Sequence, residues 1–376
     1  MRLRQLQAVL EQIAPGRVVT WDLTRGCPAS IPISPSVPSL PITDARVIRN
    51  LSILAQHVWP SWAARSVPGQ RDRVLDWIDS ERPTHAVVVH PHSTEFVAAL
   101  QACGISVFID MSDVERDKTR QLVRLTPMGP AKLEQLVRLC VIRRWERLYF
   151  HLAAEVWAAS DADAARQRFL GGGRVRARAV PNALDLSHYP WETGPAVCDD
   201  SARDIVFPAN FDYQPNVVGA KVFRDRAFPA VRSRIPDARF VLVGRDRNGS
   251  ARALADSPQI VVTGEVPDTR PYLRRAGIVV VPLFHGSGTR FKILEALALG
   301  VPVVTTELGC AGLNVHDGQH LMIRDITQFA DVVTDALTGQ LDREALSYAG
   351  RQLVEAEYTW TAVSELVRDS LGLATP

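Results

Sequence analysis

Residues 286–304, GSGTRFKILEALALGVPVV, place a glycine-rich turn, two cations and a carboxylate close together in the chain. The pattern predicts a helix from about residue 289 to 299, and the unpaired backbone N–H groups at a helix start attract anions. Arg290 and Lys292 fall in the predicted first turn, where each cation costs about 0.3–1 kcal/mol unless an anion balances it. We therefore expect a diphosphate-binding site. The turn residues that complete it are Gly286, Ser287, Gly288 and Thr289.

Glu295 lies three residues after Lys292, so the two side chains share one face of the predicted helix. Two interpretations fit this spacing. The carboxylate could accept hydrogen bonds from ligand hydroxyls such as a ribose diol, or it could form an ordinary ion pair with Lys292 on a solvated face. The stretch lacks the GxxxxGK[ST] pattern, so it is not a phosphate loop of that type.

Short β-rich apolar runs alternate with longer helical patterns along the chain, which is typical of parallel βαβ units. We expect two doubly wound α/β domains, since 376 residues exceed what one hydrophobic core usually supports. Residues 182–202 are rich in proline, glycine and acids, and they predict the linker between the domains. Ligands of such sheets bind at the carboxyl ends of the strands. The predicted strands are 17–21, 85–90, 105–110, 155–159, 177–180, 204–209, 238–244, 260–264, 276–283 and 302–306.

The composition indicates a globular protein of the cytoplasm. With 46% hydrophobic and 22% charged residues the chain is not disordered, and a net charge of +2 does not suggest a nucleic-acid partner. The five cysteines show no metal-binding spacing, so we expect reduced thiols. No signal-peptide pattern or membrane-length apolar run is present. Asp161 and Asp163 follow Ser160 at a predicted helix start, so we interpret them as capping residues and expect no metal site.

A family resemblance extends over most of the chain. GSGTRFKILEALALGVPVVTTELGCAGL, residues 286–313, resembles the signature of the GT4-like glycosyltransferases of the GT-B fold, also called glycosyl transferases group 1. The resemblance covers residues 86–371 and is strongest over the second domain. The other matching segments are PNALD at 181–185, FPANFDYQPN at 207–216, FVLVG at 240–244, VTGEVPDTRPYL at 262–273 and YTW at 358–360.

The resemblance implies two Rossmann-like domains that face a cleft. Residues 1–190 would bind the acceptor, residues 191–355 would bind the nucleotide-sugar donor, and a terminal helix in residues 356–376 would cross back to the first domain. Glu295 matches the family glutamate that contacts the nucleotide ribose, whereas the family's other motif glutamate is replaced by Ser287.

The resemblance also assigns roles to loops of the second domain. Val266 would present backbone groups to the base, and Gly244 would let the backbone approach the nucleotide. Many relatives carry an arginine and a lysine after the strand that opens this domain, but Asn210 stands in that loop here. Arg290 and Lys292 are therefore expected to carry the charge that balances the diphosphate, with Asn210 as a further binding residue.

Polar side chains end two predicted strands of the first domain. His90 and His92 follow the first of them, and each could orient sugar hydroxyls or carry a proton, or could be an ordinary polar loop residue. Asp110 ends the next strand, where relatives often carry a histidine. A carboxylate there could take the proton of the acceptor hydroxyl.

Residues 116–151 combine many basic residues with leucines and aromatics. Such a segment could be a solvated helix face whose arginine stems cover apolar surface. Some relatives dock a face of this kind on anionic membranes, so peripheral contact with a membrane is the other interpretation.

The function implied by the resemblance is a retaining, metal-independent glycosyltransferase that uses a nucleoside diphosphate sugar and no further cofactor. The acceptor could be a small molecule, a glycan or a lipid-linked sugar. Two alternatives stay open: a non-catalytic sugar-nucleotide sensor or partner subunit, and, with a poorer fit to the motifs, a sugar-nucleotide epimerase of the same fold.

Overall fold

The computed structural model describes residues 6, 9–11, 13, 83–89, 96–111, 113–191, 203–286 and 290–373. These residues form two compact units with separate hydrophobic cores. The first unit combines the described residues up to Pro181 with those from Val363 onward, and the second is Asn182–Ala362. No helix in these ranges is both long enough and apolar enough to cross a membrane. The predicted strand at 17–21 lies outside the described residues.

The first unit contains a four-stranded parallel sheet in the order β1-β2-β3-β4. Buried aliphatic residues of the sheet and of the flanking helices form its core, as expected for a parallel sheet covered by crossover helices. The strands are β1 (His85–Val89), β2 (Ser106–Met111), β3 (Glu155–Ala158) and β4 (Ala177–Ala179). The helices are α1 (Phe96–Ala102), α2 (Glu115–Leu125), α3 (Pro130–Tyr149) and α4 (Asp161–Leu170).

The second unit contains a six-stranded parallel sheet in the order β10-β9-β8-β5-β6-β7. Its central strands are uninterrupted apolar runs because helices cover both faces. The strands are β5 (Asp204–Pro208), β6 (Arg239–Val243), β7 (Ile260–Gly264), β8 (Ala276–Val281), β9 (Val303–Thr305) and β10 (Met322–Ile323). The helices are α5 (Gln214–Arg226), α6 (Phe228–Arg234), α7 (Arg270–Arg274), α8 (Phe291–Ala298), α9 (Glu307–Cys310), α10 (Phe329–Leu337) and α11 (Arg343–Glu357).

The terminal helix α12 (Trp360–Ser370) ends against the sheet of the first unit. The Trp157 indole of β3 donates to the Ser370 hydroxyl at 2.8 Å, and Arg178 of β4 forms an ion pair with Asp369. His85 Nε2 bonds the Leu371 carbonyl oxygen at 3.1 Å. Two parallel-sheet units with this returning helix confirm the predicted GT-B fold class.

Every predicted strand that falls in the described residues is confirmed to within two residues at each end. The predicted helix start at Asp161 and Asp163 is also confirmed. Both lie in the first turn of α4, and the cap is Ser160, whose hydroxyl accepts from the Asp163 N–H. The prediction missed β10, which has two residues and therefore no apolar period to detect.

Gly244 lets the chain after β6 approach the chain after β5. Its φ angle is +134°, and a Cβ atom at this position would lie 2.1 Å from the Ala209 carbonyl oxygen. Only glycine avoids both the backbone strain and this collision. The two loops are therefore held together at the carboxyl edge of the second sheet.

We expect Gly244→Ala to destabilise the protein by about 3–5 kcal/mol, because the left-handed backbone and the clash with Ala209 add. Gly249→Ala is the matched control, since Gly249 has a φ of +70° but an added Cβ would meet nothing within 4 Å. It should cost only about 1–2 kcal/mol. Urea unfolding measures both, and equal losses for the two variants would contradict the role assigned to the close approach.

Candidate functional site

Helix α8 begins beside the carboxyl ends of the central strands of the second sheet. Its inner face is buried, and Gly300, with a φ of +69°, ends it before β9. The predicted helix start at residue 289 is wrong by two positions, because regular structure begins at Phe291 and Arg290 is the N-cap residue. Arg290 therefore precedes the first turn. The predicted turn residues Ser287, Gly288 and Thr289 lie outside the described residues.

Gly286 leads into this turn against the loop that follows β5. Its φ is +99°, and an added Cβ would lie 2.8 Å from the Tyr213 hydroxyl oxygen and 3.0 Å from Pro215 Cγ. Any larger residue would push the turn away from α5. This contact positions the chain that enters α8.

Arg290 is buried, with 8% of its surface exposed. Its Nη2 donates to the Leu308 carbonyl oxygen of α9 at 2.8 Å. The guanidinium thus braces α9 and at the same time places a permanent positive charge at the start of α8.

Lys292 brings a second cation into the same place. Its Nζ donates to Asn216 Oδ1 at 2.9 Å and lies 4.7 Å from the centroid of the Phe207 ring. No carboxylate of the described residues forms an ion pair with it. Burial, helped by the neighbouring Arg290 charge, lowers the pKa of Lys292 to about 7. A bound anion would favour the charged form of this amine.

Asn216 was not recognised from the sequence as a site residue. It is buried in the first turn of α5, where its Nδ2 donates to the Asn210 carbonyl oxygen at 2.7 Å while its Oδ1 receives Lys292. The predicted residue Asn210 therefore reaches the site through its backbone, and its side chain accepts from the Asp212 N–H at 3.1 Å. Its place at the end of the family-matching segment at 207–216 was a signal for Asn216, but a polar residue there also fits an ordinary solvated position.

Glu295 lies one turn beyond Lys292 on α8. The Tyr189 hydroxyl donates to Glu295 Oε1 at 2.8 Å, and Glu295 forms no salt bridge with Lys292. The interpretation of these two residues as an ordinary solvated ion pair is therefore wrong. Burial raises the pKa of the Glu295 carboxyl, while the Tyr189 hydrogen bond opposes that rise.

The remaining predicted residues of this unit lie along the same sheet edge. Strands β8, β5, β6 and β7 are neighbours in that order, so the residues that follow them come out at one edge. Gly244 follows β6, and half-buried Val266 follows β7 and packs against the core. The structure thus gathers Asn210, Gly244, Val266 and the start of α8 at the carboxyl ends of adjacent parallel strands, where ligands of such sheets bind.

The candidate residues of the first unit are less fully described. Asp110 lies in β2 opposite Val89 of β1 and is 1% exposed. His90 and His92 lie outside the described residues. The proton-transfer roles of these three residues stay predictions.

Residues 202–339 match the family described as Glycosyl transferases group 1. A mannosyltransferase of Corynebacterium glutamicum, described as GDP-mannose-dependent and acting on a monoacylated phosphatidylinositol monomannoside, is 30% identical over 159 residues, which are 39% of this chain and 42% of that protein. The chain spans about half the length of the curated relatives it matches.

Two solved structures share the fold. Sucrose-phosphate synthase from Thermosynechococcus elongatus is 16% identical with a TM-score of 0.69, and the alignment covers 98% of this chain and 92% of that one. HepE of Anabaena in complex with UDP is 12% identical with a TM-score of 0.60, covering 80% of this chain and 82% of that one. At these identities the likeness concerns the fold alone.

The depressed pKa of Lys292 makes stability depend on pH in a definite direction. Between about pH 7 and the 10.5 of an ordinary lysine, the unfolded chain binds a proton that the folded chain has lost. Stability should therefore rise with pH through this window, by an amount on the order of a few kcal/mol. Lys292→Met should be more stable than wild type at pH 7 and should lack this rise.

Urea unfolding at several pH values between 7 and 10 measures the effect. Lys221→Met, an exposed lysine of α5, is the matched control and should keep the wild-type slope. A Lys292→Met variant with an unchanged pH slope would show that the amine is not desolvated.

Proposed function

We propose that this chain, whose residues 202–339 match the family described as Glycosyl transferases group 1, is a retaining, metal-independent glycosyltransferase. It moves a sugar from a nucleoside diphosphate sugar to an acceptor. The observation that carries this proposal is the start of α8, where buried Arg290 and the desolvated amine of Lys292 lie close together and Lys292 is one helical turn from the half-buried carboxylate of Glu295. A nucleoside diphosphate offers anionic oxygens to the cations and ribose hydroxyls to the carboxylate.

Charge development explains why such a site would accelerate transfer. As the bond between the sugar carbon and the diphosphate oxygen breaks, negative charge collects on the diphosphate, and Arg290 and Lys292 stabilise it without rearrangement. The acceptor oxygen forms its new bond on the same face of the sugar, and its proton passes to the departing phosphate oxygen. The two cations supply the stabilisation that a metal ion supplies in other transferases.

The relatives give two candidates for the donor base. The corynebacterial relative is described as GDP-mannose-dependent, and the Anabaena structure contains UDP. We propose GDP and UDP as the first donors to test, with the sugar left to experiment. Val266 and Gly244, at the same sheet edge, are the proposed contacts of the nucleotide.

A surface of the first unit favours a lipid-linked acceptor. The C-terminal half of α2, the turn after it and the start of α3 expose Leu122, Leu125, Met128, Leu133 and Leu136. Exposed cations lie on the same two helices: Arg124 is beside these residues, and Arg143, Arg144 and Arg147 begin about two turns further along α3. Apolar side chains bordered by arginines fit an anionic lipid surface, and the acceptor named for the corynebacterial relative is a phosphatidylinositol glycolipid. We propose peripheral membrane contact through this α2–α3 surface.

Thermal unfolding with UDP, GDP, ADP, dTDP and NAD, each with magnesium or with EDTA, tests the donor site. One nucleoside diphosphate at about 100 times its dissociation constant should stabilise the protein by about 2.7 kcal/mol, equally in both media. Lys292→Met should weaken its binding about 10- to 100-fold through loss of a charge-assisted contact, whereas Lys221→Met should not. If no nucleotide stabilises the protein, the proposal fails. Binding without hydrolysis or transfer of any donor sugar would favour the non-catalytic sensor.

Vesicle sedimentation tests the α2–α3 surface. The protein should sediment with phosphatidylcholine vesicles that contain phosphatidylglycerol and not with phosphatidylcholine alone, because the arginines require anionic lipid. Leu125→Asp combined with Met128→Asp should abolish sedimentation. Phe169→Asp is the control, because Phe169 is an exposed apolar residue of α4 outside this surface. Equal sedimentation of the double variant and wild type would rule the surface out.

A further inference from the structure

A buried phenol–carboxylate pair links the segment before β5 to α8. Tyr189 is 9% exposed and donates to Glu295 Oε1 at 2.8 Å, across 106 positions in the chain. Burial next to the Glu295 charge raises the pKa of the Tyr189 phenol, so the proton stays on the tyrosine. Tyr189 is therefore a fixed donor, and Glu295 is the acceptor.

The backbone around Tyr189 is fastened to the same helix that carries Glu295. Arg351 of α11 donates through Nη1 to the Tyr189 carbonyl oxygen at 2.7 Å and to the carbonyl oxygen of Ala298, the last residue of α8, at 2.5 Å. The Arg351 guanidinium also lies 5.5 Å from the centroid of the Trp191 ring. One buried arginine thus holds both partners of the phenol–carboxylate pair in register.

The other side of Tyr189 is fixed by α7. Arg270 donates through Nη1 to the His188 carbonyl oxygen at 2.6 Å, and its guanidinium lies 5.8 Å from the centroid of the Tyr189 ring. Asp268 accepts from Arg270 Nε at 2.8 Å. The phenol has little freedom to leave Glu295, because its neighbours on both sides are bonded to helices of the same unit.

This arrangement leaves one carboxylate oxygen for a ligand. Tyr189 occupies Oε1, Lys292 forms no salt bridge with the group, and no described residue bonds Oε2. A carboxylate that is held through one oxygen cannot rotate freely, so its second oxygen keeps one direction. Such an acceptor is preorganised for a ligand hydroxyl.

We propose that Tyr189 is a positioning residue that orients Glu295 to accept a hydrogen bond from a ribose hydroxyl of the bound nucleoside diphosphate. This inference rests on the proposed function. With Glu295 oriented in this way, the site prefers ribonucleotides to 2′- or 3′-deoxynucleotides. That preference depends on the Tyr189 hydroxyl, which bonds Glu295 and not the ligand.

The test compares ribo- and deoxynucleotides in wild type and Tyr189→Phe. Dissociation constants are measured by calorimetry for GDP and UDP and for their 2′-deoxy and 3′-deoxy analogues. In wild type, loss of the recognised hydroxyl should weaken binding about 10-fold or more, as expected for a hydrogen bond to a charged group. Tyr189→Phe keeps the ring and should reduce this ratio several-fold, while Tyr348→Phe, an exposed tyrosine of α11, should not.

A double-variant cycle separates positioning from general stability. Glu295→Gln should lose most of the ribose preference, and adding Tyr189→Phe should change the ratio no further if Tyr189 acts through Glu295. A lower melting temperature alone would weaken all nucleotides equally and leave the ratio at its wild-type value. An unchanged ratio in Tyr189→Phe overturns the inference.

Binding to the wild-type protein separates failure of this inference from failure of the proposed function. If wild type binds nucleoside diphosphates without preferring ribose, the inference is overturned while the proposed donor site stands. If wild type binds none of the nucleotides, the proposed function itself fails and the inference fails with it.

Discussion

Positive charge at the start of α8 is the constraint on which the second unit's site depends. The helix dipole and the loss of water both oppose a cation there, yet Arg290 and Lys292 are both placed in this position. An amide oxygen and an aromatic face solvate the Lys292 amine only in part, because neither carries a full negative charge. The folded protein therefore maintains an electrostatic strain that an anion at the sheet edge would relieve.

The rest of the unit holds that strained arrangement in place. The inner face of α8 is buried in the core, so the helix cannot turn its cations toward water. Gly286 and Gly244 bring neighbouring loops closer than any side chain would allow, and Asn216 joins the loop after β5 to Lys292. Close packing at the sheet edge therefore fixes the positions of a few polar groups.

Features that depend on local sequence patterns, namely the strands and the spacing of the residues around α8, were predicted from the sequence. Strands such as β8 are apolar runs with clear ends, and the spacing of Arg290, Lys292 and Glu295 along one helix was readable directly. Tyr189 and Asn216 were not found, because each meets its partner through a contact 106 or 76 positions away that no local period encodes. The helix start was misplaced by two residues, since the N-cap residue is Arg290, which is not one of the types that usually mark a helix start. The histidines after β1 lie outside the described residues.

Lys292 and Glu295, two ionisable groups on α8, are each solvated only in part. Among the described residues, the amine lacks an anionic partner, and the carboxylate lacks a second hydrogen-bond donor. Burial disfavours the charged form of Lys292 and of Glu295 alike. The two form no salt bridge that would satisfy both, since Lys292 bonds Asn216 and Glu295 accepts from Tyr189. Free phosphate would relieve the lysine and leave the carboxylate short of donors, whereas a nucleoside would do the reverse. The proposed nucleoside diphosphate joins an anionic group to a diol and would satisfy both groups at once. In this proposal, its selectivity over either part alone comes from the fixed separation of two incompletely solvated side chains.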